Sequence, residues 1–206
     1  MPIAYISKTT KLGNDVPFDH ITTAATDGLI IVCSNRLVNV DSTAKFNDVA
    51  LTVAQNGWGA GGYWRTSIHY MQNPPIGTYH IDTINGDVAG VTTAINVSGL
   101  LKTGNPVRFS DYSGGSCDPM VAHFTSLVGD GVFDVIVVAE SSWHPNSGQT
   151  LIDSNWFGGN ALHGCSFLIG ALTDPSWHRG AADDGSYTAV DFIPAPVFGS
   201  SPMWWF

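Results

Sequence analysis

The sequence predicts an all-β fold: a single-domain antiparallel β-sandwich, jelly-roll-like, with about nine or ten strands. Three observations carry this. Short runs alternate apolar and polar side chains with period two, the mark of half-buried strands. Gly, Pro, Asn and Asp punctuate the chain between those runs. No window of ten or more residues keeps a helical period free of Gly or Pro, so helix is minor. No period of 20–50 residues repeats, which excludes a propeller or solenoid.

In chain order, residues 1–27 show neither period and read as an N-terminal arm or edge strand. Residues 28–196 read as the β-sandwich domain. Gly28–Cys33 is short, apolar and β-branched after an Asp-Gly turn signal, so it reads as a buried strand. Phe46–Val53 places Val49, Leu51 and Val53 on one face. Gln55–Gly62 (QNGWGAGG) holds four glycines around Trp58. The central stretch, Tyr63–Asp87, contains two alternating runs. Trp64, Thr66, Ile68 and Tyr70 oppose Arg65, Ser67 and His69; Thr78, His80 and Asp82 oppose Tyr79, Ile81 and Thr83. Asn73-Pro74-Pro75-Ile76-Gly77 separates them, since two prolines without N–H groups halt a central strand. Val91–Val97 alternates again. Ser110–Pro119 reads as a polar, Gly-rich loop, Phe133–Ala139 as a buried strand and Glu140–Thr150 as a long loop. Ala122–Val128, Leu151–Phe157, Cys165–Leu172 and Tyr187–Ile193 supply the remaining strands. Residues 197–206 form an apolar C-terminal tail ending Met203-Trp204-Trp205-Phe206.

Composition narrows the function. A chain of 206 residues is long enough to bury a core without staples. Charged residues are 12 %, about half of the roughly 25 % usual in soluble domains. The surface is therefore rich in Ser, Thr, Asn and Gly, or covered by other chains. The net charge is -9, and the eight Lys and Arg form no basic run; no nucleic acid is expected as a partner. No apolar run approaches the ~20 residues of a membrane span, and the first residues lack a signal-peptide pattern, which points to synthesis in a cytoplasm or to a removed leader. Cys33, Cys117 and Cys165 give no disulfide framework; Cys33 and Cys165 sit in apolar runs and read as small buried hydrophobes.

Several segments together resemble a known module: the FNDVALT strand, the WRTSIHYMQNPPIGTYHIDT unit, the SGL that follows Val97, and FDVIVVA. Over Asp27 to about Ile193 the chain is similar to a loosely defined β-sandwich module of phage virion proteins (decoration or fibre type) and bacterial surface proteins. The resemblance implies a structural, adhesive or decorating role, with no catalytic set. The many Trp and His residues and the terminal MWWF depart from the simple module.

Glu140, the sole glutamate, follows a strand and precedes Trp143 and His144. A glycosidase would need a second carboxylate across a cleft, and Asp153 or Asp111 would have to be brought there by the fold. Trp58, Trp143, Trp156 and Trp177 are candidate glycan-stacking platforms. The seven histidines lack metal-site spacing, although His163-Gly164-Cys165 approaches a ligand cluster. His69 and His80 are equidistant from the Pro-Pro turn and would face each other if it closed a hairpin. Asp82–Asp87 and Asp183-Asp184-Gly185 offer oxygen ligands for calcium but read better as turns. No nucleophile elbow or phosphate loop occurs. Met203, Trp204, Trp205 and Phe206 are partner-docking candidates, because a free terminus is usually polar.

The expected function is that of a non-enzymatic structural protein of a virus or bacteriophage particle, a capsid decoration or a tail or fibre component, located in the virion after assembly in the host cytoplasm. The expected partners are copies of itself (a trimer favoured) and other virion proteins. No cofactor, metal or membrane insertion is expected. The rival expectation is a carbohydrate-binding or host-receptor-binding module, with surface glycan as partner; a glycoside hydrolase at Glu140 is the weaker third.

Overall fold

A computed structural model describes residues 1–13, 17–36, 43–59, 63–84, 90–139, 142–157, 161–179 and 183–196. Among these residues the regular structure is entirely β. The first half of the chain supplies β1 (Ala4–Leu12), β2 (Phe18–Thr22), β3 (Gly28–Arg36), β4 (Thr43–Phe46), β5 (Val49–Ala50), β6 (Thr52–Trp58), β7 (Trp64–Gln72), β8 (Gly77–Ile84) and β9 (Gly90–Ser98). The second half supplies β10 (Val107–Cys117), β11 (Met120–Val121), β12 (Gly131–Val138), β13 (His144–Pro145), β14 (Thr150–Phe157), β15 (Ala161–Ile169), β16 (Ser176–His178) and β17 (Asp183–Phe192). These seventeen strands replace the expected nine or ten.

The strands form four antiparallel sheets. The first half builds a five-stranded main sheet, β1-β9-β3-β7-β6, and a cover sheet, β2-β8-β4-β5. The second half builds a main sheet, β10-β17-β12-β15-β14, and a cover sheet, β11-β16-β13. Taken by rank within each half, with the two-residue β5 set aside, the two main sheets have the same strand order, and β2-β8-β4 corresponds to β11-β16-β13. The correspondence extends to irregularities. The first main-sheet strand is bulged at Tyr5/Ser7 in one half and Val107/Phe109 in the other; the third is bulged at Val53/Gln55 and Leu151/Asp153. Each central strand opens on Asp-Gly, and in each half the residue after the neighbouring strand donates its N–H to that aspartate's carbonyl: Asn73 to Asp27 at 2.9 Å and Gly170 to Asp130 at 3.0 Å.

The main sheets pack face to face. Ile30, Val32, Ile68, Tyr70, Ile95 and Val97 of the first meet Phe133, Val135, Cys165, Val190 and Phe192 of the second. Each cover sheet seals the outer face of its own main sheet. Leu29, Ile31, Cys33 and Ala94 pack under Ala44, Phe46 and Ile81. Val132, Ile136, Leu162 and Tyr187 pack under Met120, Trp143 and Trp177. This layering explains why Leu29–Cys33 and Val135–Val138 are unbroken apolar runs: strands buried on both faces have no polar side to show. The alternation in Trp64–Tyr70 is also resolved. Its even-numbered side chains face the partner sheet, and Arg65, Ser67 and His69 face outward yet are 0–2 % exposed.

Some expectations need correction. The segment 110–119 is mostly strand rather than loop, because β10 pairs along its whole length with β17. Its Gly114 is required, since a Cβ there would overlap the Trp58 carbonyl. The strands on either side of Pro74-Pro75 do not pair with each other. β7 lies in a main sheet and β8 in a cover sheet, so the turn carries the chain between layers instead of closing a hairpin. Cys33 and Cys165 are fully buried free thiols, as their apolar runs predict.

Candidate functional site

Strand direction gives the molecule two poles. Gly28 and Gly131 open the two central strands beside Leu100 and Ile3, so both main sheets begin at the pole where Met1 meets Ala195. There Met1 donates its amino N–H to the Ala195 carbonyl at 3.0 Å, and Leu100 bridges Pro194. At the opposite pole lie Trp58, opposite Arg65 in the ladder, and Trp156, opposite Leu162.

Three polar clusters deserve weighing as sites. The first crosses the seam between the main sheets. His163 Nδ1 lies 2.7 Å from Ser34 Oγ, and His163 Nε2 lies 3.2 Å from Thr93 Oγ1. Thr93 donates to Asp153 Oδ2 at 3.4 Å, Thr10 donates to the same oxygen, and Lys8 Nζ sits 2.8 Å from Asp153 Oδ1. A hydroxyl, an imidazole and a carboxylate thus stand in line. Ser34, Thr93 and His163 are nevertheless 0–1 % exposed, and no substrate atom can reach the hydroxyl. Burial pushes His163 down to about 4, against the pull of the Asp153 carboxylate. At neutral pH the ring is therefore neutral, and it acts as a bridge across the seam.

The second cluster surrounds Asp134, fully buried under the second cover sheet. Its carboxylate accepts from Ser166 N at 2.9 Å, Ser166 Oγ at 2.8 Å, Trp177 Nε1 at 3.2 Å, Tyr187 OH at 3.1 Å and Gln149 Nε2. Burial raises it to about 6 despite these donors. Every donor comes from the protein, so the group ties β12, β15, β16 and β17 together and has nothing left for a ligand. The third cluster is Arg108 with Asp130 (Nε to Oδ2 2.9 Å) and Asp191, whose nearer oxygen is 3.8 Å from Nε. Neither Asp191 oxygen accepts a hydrogen bond. Burial, followed by the negative charge of Asp130, lifts Asp191 to about 7.

The four candidate tryptophans divide evenly. Trp177 is fully buried against Gly164, and Trp143 is 5 % exposed in the same core; neither offers a face to a sugar. Their apolar role under the cover sheet could not be seen in a sequence that places each of them in a polar neighbourhood. Trp156 is 49 % and Trp58 38 % exposed. These two occupy equivalent places, each at the end of the third main-sheet strand before a Gly-rich connection. Thr52…Trp58 and Thr150…Trp156 have the same spacing, a sequence signal that links them. One face of Trp58 is taken by the Arg65 guanidinium.

The remaining candidates resolve as follows. His69 is fully buried beside Ser67, and His80 is an exposed partner of Asp19 at 2.6 Å, so they do not form a pair. His163 and Cys165 share the inner face of β15, but no group of three or more His, Cys, Asp or Glu among the described residues is arranged to hold a metal. Asp183-Asp184-Gly185 is not a turn but the start of β17, paired with β10, where Asp184 accepts from Ser116 Oγ at 2.5 Å. Glu140, residues 85–87 of the Asp82–Asp87 turn, and Met203, Trp204, Trp205 and Phe206 lie outside the described residues. No family model matches the chain, and no curated protein or solved structure matches it either.

Proposed function

We propose that the chain is a non-enzymatic structural protein of a virus or bacteriophage particle, a capsid decoration or a tail or fibre component, built from two jelly rolls in tandem. In the first half, β1, β9, β3 and β7 correspond to the jelly-roll strands first, eighth, third and sixth. β2, β8, β4 and β5 correspond to second, seventh, fourth and fifth, with the fifth strand crossing between sheets at Leu51 into β6. Rolls of this kind serve in viral shells and lectins. The observation that carries the non-enzymatic part is the burial of Ser34, Thr93 and His163. In the nearest approach to a nucleophile–base–acid set among the described residues, the hydroxyls and the imidazole are closed to solvent, and only the Asp153 end, held by Lys8, is partly open. The function then falls to surfaces: one pole holds the Met1–Ala195 contact, and the other presents the exposed rings of Trp58 and Trp156. Self-association, with a trimer favoured, is tested by light scattering on the intact chain. A strict monomer at high micromolar concentration overturns it.

A second reading is favoured by one observation, the exposure of Trp58 and Trp156 at equivalent places on the presented pole. In it the chain binds a repeating surface glycan through Trp58 and Trp156, each stacking an exposed ring face on one sugar. A glycan array reads it directly. Binding that is lost in both Trp58→Ala and Trp156→Ala supports it, and an array without hits removes it.

A further inference from the structure

We propose that His144 and His178 form a site for a divalent transition metal, zinc by its ligand chemistry, on the second cover sheet. This goes beyond the particle reading and does not depend on it. The two residues stand directly opposite each other, His144 on β13 and His178 on β16, so their side chains leave the same face of the sheet. Their ring centroids are 6.4 Å apart, with planes at 84°. Two imidazoles that share an ion through Zn–N bonds of about 2.0–2.1 Å place their centroids about 5–6.5 Å apart, so the rings already stand at that spacing. Each ring has one nitrogen committed and one without a partner among the described residues. His144 donates its Nδ1–H to the His178 carbonyl at 2.6 Å, which leaves the lone pair on Nε2. His178 Nε2 lies 3.1 Å from Ser176 Oγ; with the N–H given to that hydroxyl, its lone pair is on Nδ1. Metal-binding histidines are oriented in this way, one nitrogen held by the protein and the other free for the ion. His144 is exposed and His178 half-buried, so an ion reaches both from solvent.

The first half shows what the pair replaces. Ile81 of β8 pairs with Phe46 as Trp177 of β16 pairs with Pro145. Asp82 and Lys45, the next pair in the first ladder, therefore correspond to His178 and His144. Opposite charges across a ladder attract unaided. Two imidazoles do not, and a cation held between them supplies that attraction. The second half has the greater need of it. Its cover strands β11, β16 and β13 have two, three and two residues, against five, eight and four in β2, β8 and β4. A metal that joins residues 34 positions apart closes a long loop and adds what the short ladder lacks. Two histidines fill half of a tetrahedral zinc shell, and water completes it.

Calorimetric titration of zinc chloride into the full chain tests this. Cys117, the one free thiol that is not fully buried, is replaced by Ser so that it cannot compete. The expected result is one zinc per chain. His144→Ala and His178→Ala should each weaken binding by more than the about tenfold cost of losing an outer partner of a ligand. His80→Ala and His123→Ala, at exposed histidines elsewhere, should leave it unchanged. Absence of binding at millimolar zinc overturns the proposal. Binding that is equally strong in His144→Ala and His178→Ala overturns it as well, since the ion is then held elsewhere. A second measurement needs no substitution at the site. Proton–nitrogen correlation spectra of the histidine rings, recorded with and without zinc, should show the His144 and His178 signals moving; movement confined to other histidines counts against the site.

Discussion

The two halves share a strand order and stabilise it differently. In the first half the cover sheet is held by aliphatic packing and neutral polar pairs. Asn96 accepts from or donates to His20, Ser7 and the Ile21 carbonyl at 3.0, 3.0 and 2.7 Å. In the second half the equivalent residue is Asp191, which has no hydrogen bond and shares Arg108 with Asp130. Likewise Ile81, paired with Phe18 and Phe46 in one cover sheet, corresponds to Trp177, paired with Met120 and Pro145 in the other, with Trp177 fully buried on a saturated carboxylate. The same topology therefore tolerates an apolar, neutral cover and a charged, hydrogen-bonded one. What must be kept is satisfaction of the buried groups. Burial of an ionisable group, at the unpaired Asp191 carboxylate as at the hydrogen-bonded Asp134, makes the stability of the fold dependent on pH.

The largest expected difference lies at the cover-sheet aromatics. Trp177→Ala removes a fully buried ring and one donor to Asp134, and should cost about 3–5 kcal/mol. Tyr79→Ala, at a half-buried place in the first half's cover sheet, should cost about half as much. Chemical denaturation of both variants gives the ratio; equal costs would mean that the two covers are energetically alike.

Asp191→Asn transfers the first half's solution to the second. Asp134 and Asp191 have folded pKa values raised to about 6 and about 7, above the unfolded value near 3.9. Their contribution is therefore complete below about pH 4 and is lost as pH rises through 6 and 7. His69 runs the other way. Burial lowers it to about 4, so its contribution is complete above pH 6.5 and lost as pH falls through 4. Asp191→Asn is expected to stabilise the protein by about 1–2 kcal/mol at pH 8 and to change little at pH 5. Melting curves across pH 5–8 check this, and a gain independent of pH would show that Asp191 is not charged in the folded chain.

Smaller effects separate the glycines that open the central strands. A methyl at Gly28 would run into the Leu100 side chain, whereas at Gly131 it would meet Ile3 atoms at 3.0–3.2 Å, a tight contact without overlap. Gly28→Ala is expected to cost about 1–2 kcal/mol and Gly131→Ala less than about 1, read from denaturant midpoints. The smallest effect belongs to the presented pole. Trp156→Ala should stay within about 0.5 kcal/mol. Trp58→Ala should exceed it slightly, because it uncovers Arg65.

Much of the strand content was legible in the sequence, because burial leaves a pattern. Phe133–Ala139 and Leu29–Cys33 are apolar where both faces are covered, and Trp64–Tyr70 alternates where one face is polar. The Asp-Gly openings at Asp27 and Asp130 and the matched Thr52…Trp58 and Thr150…Trp156 spacings are also in the sequence, yet they gain meaning only beside the shared strand order. The edge strand β10 was missed, since an exposed strand with Ser, Gly and Asp has the composition of a loop. The His69–His80 pairing failed because a Pro-Pro turn reads the same whether it joins two strands of one sheet or carries the chain to another.

By itself the sequence determined that this chain is all-β, poor in charge, free of basic runs, and apolar in its last ten residues. Those properties follow from local spacing and composition. Only the tertiary structure decided that two halves repeat one order, that Trp58 and Trp156 are exposed while Trp143 and Trp177 are buried, and that Ser34, His163 and Asp153 meet at all. Ser34 and His163 stand 129 residues apart. Contacts at that separation are set by how layers stack, which no local pattern records.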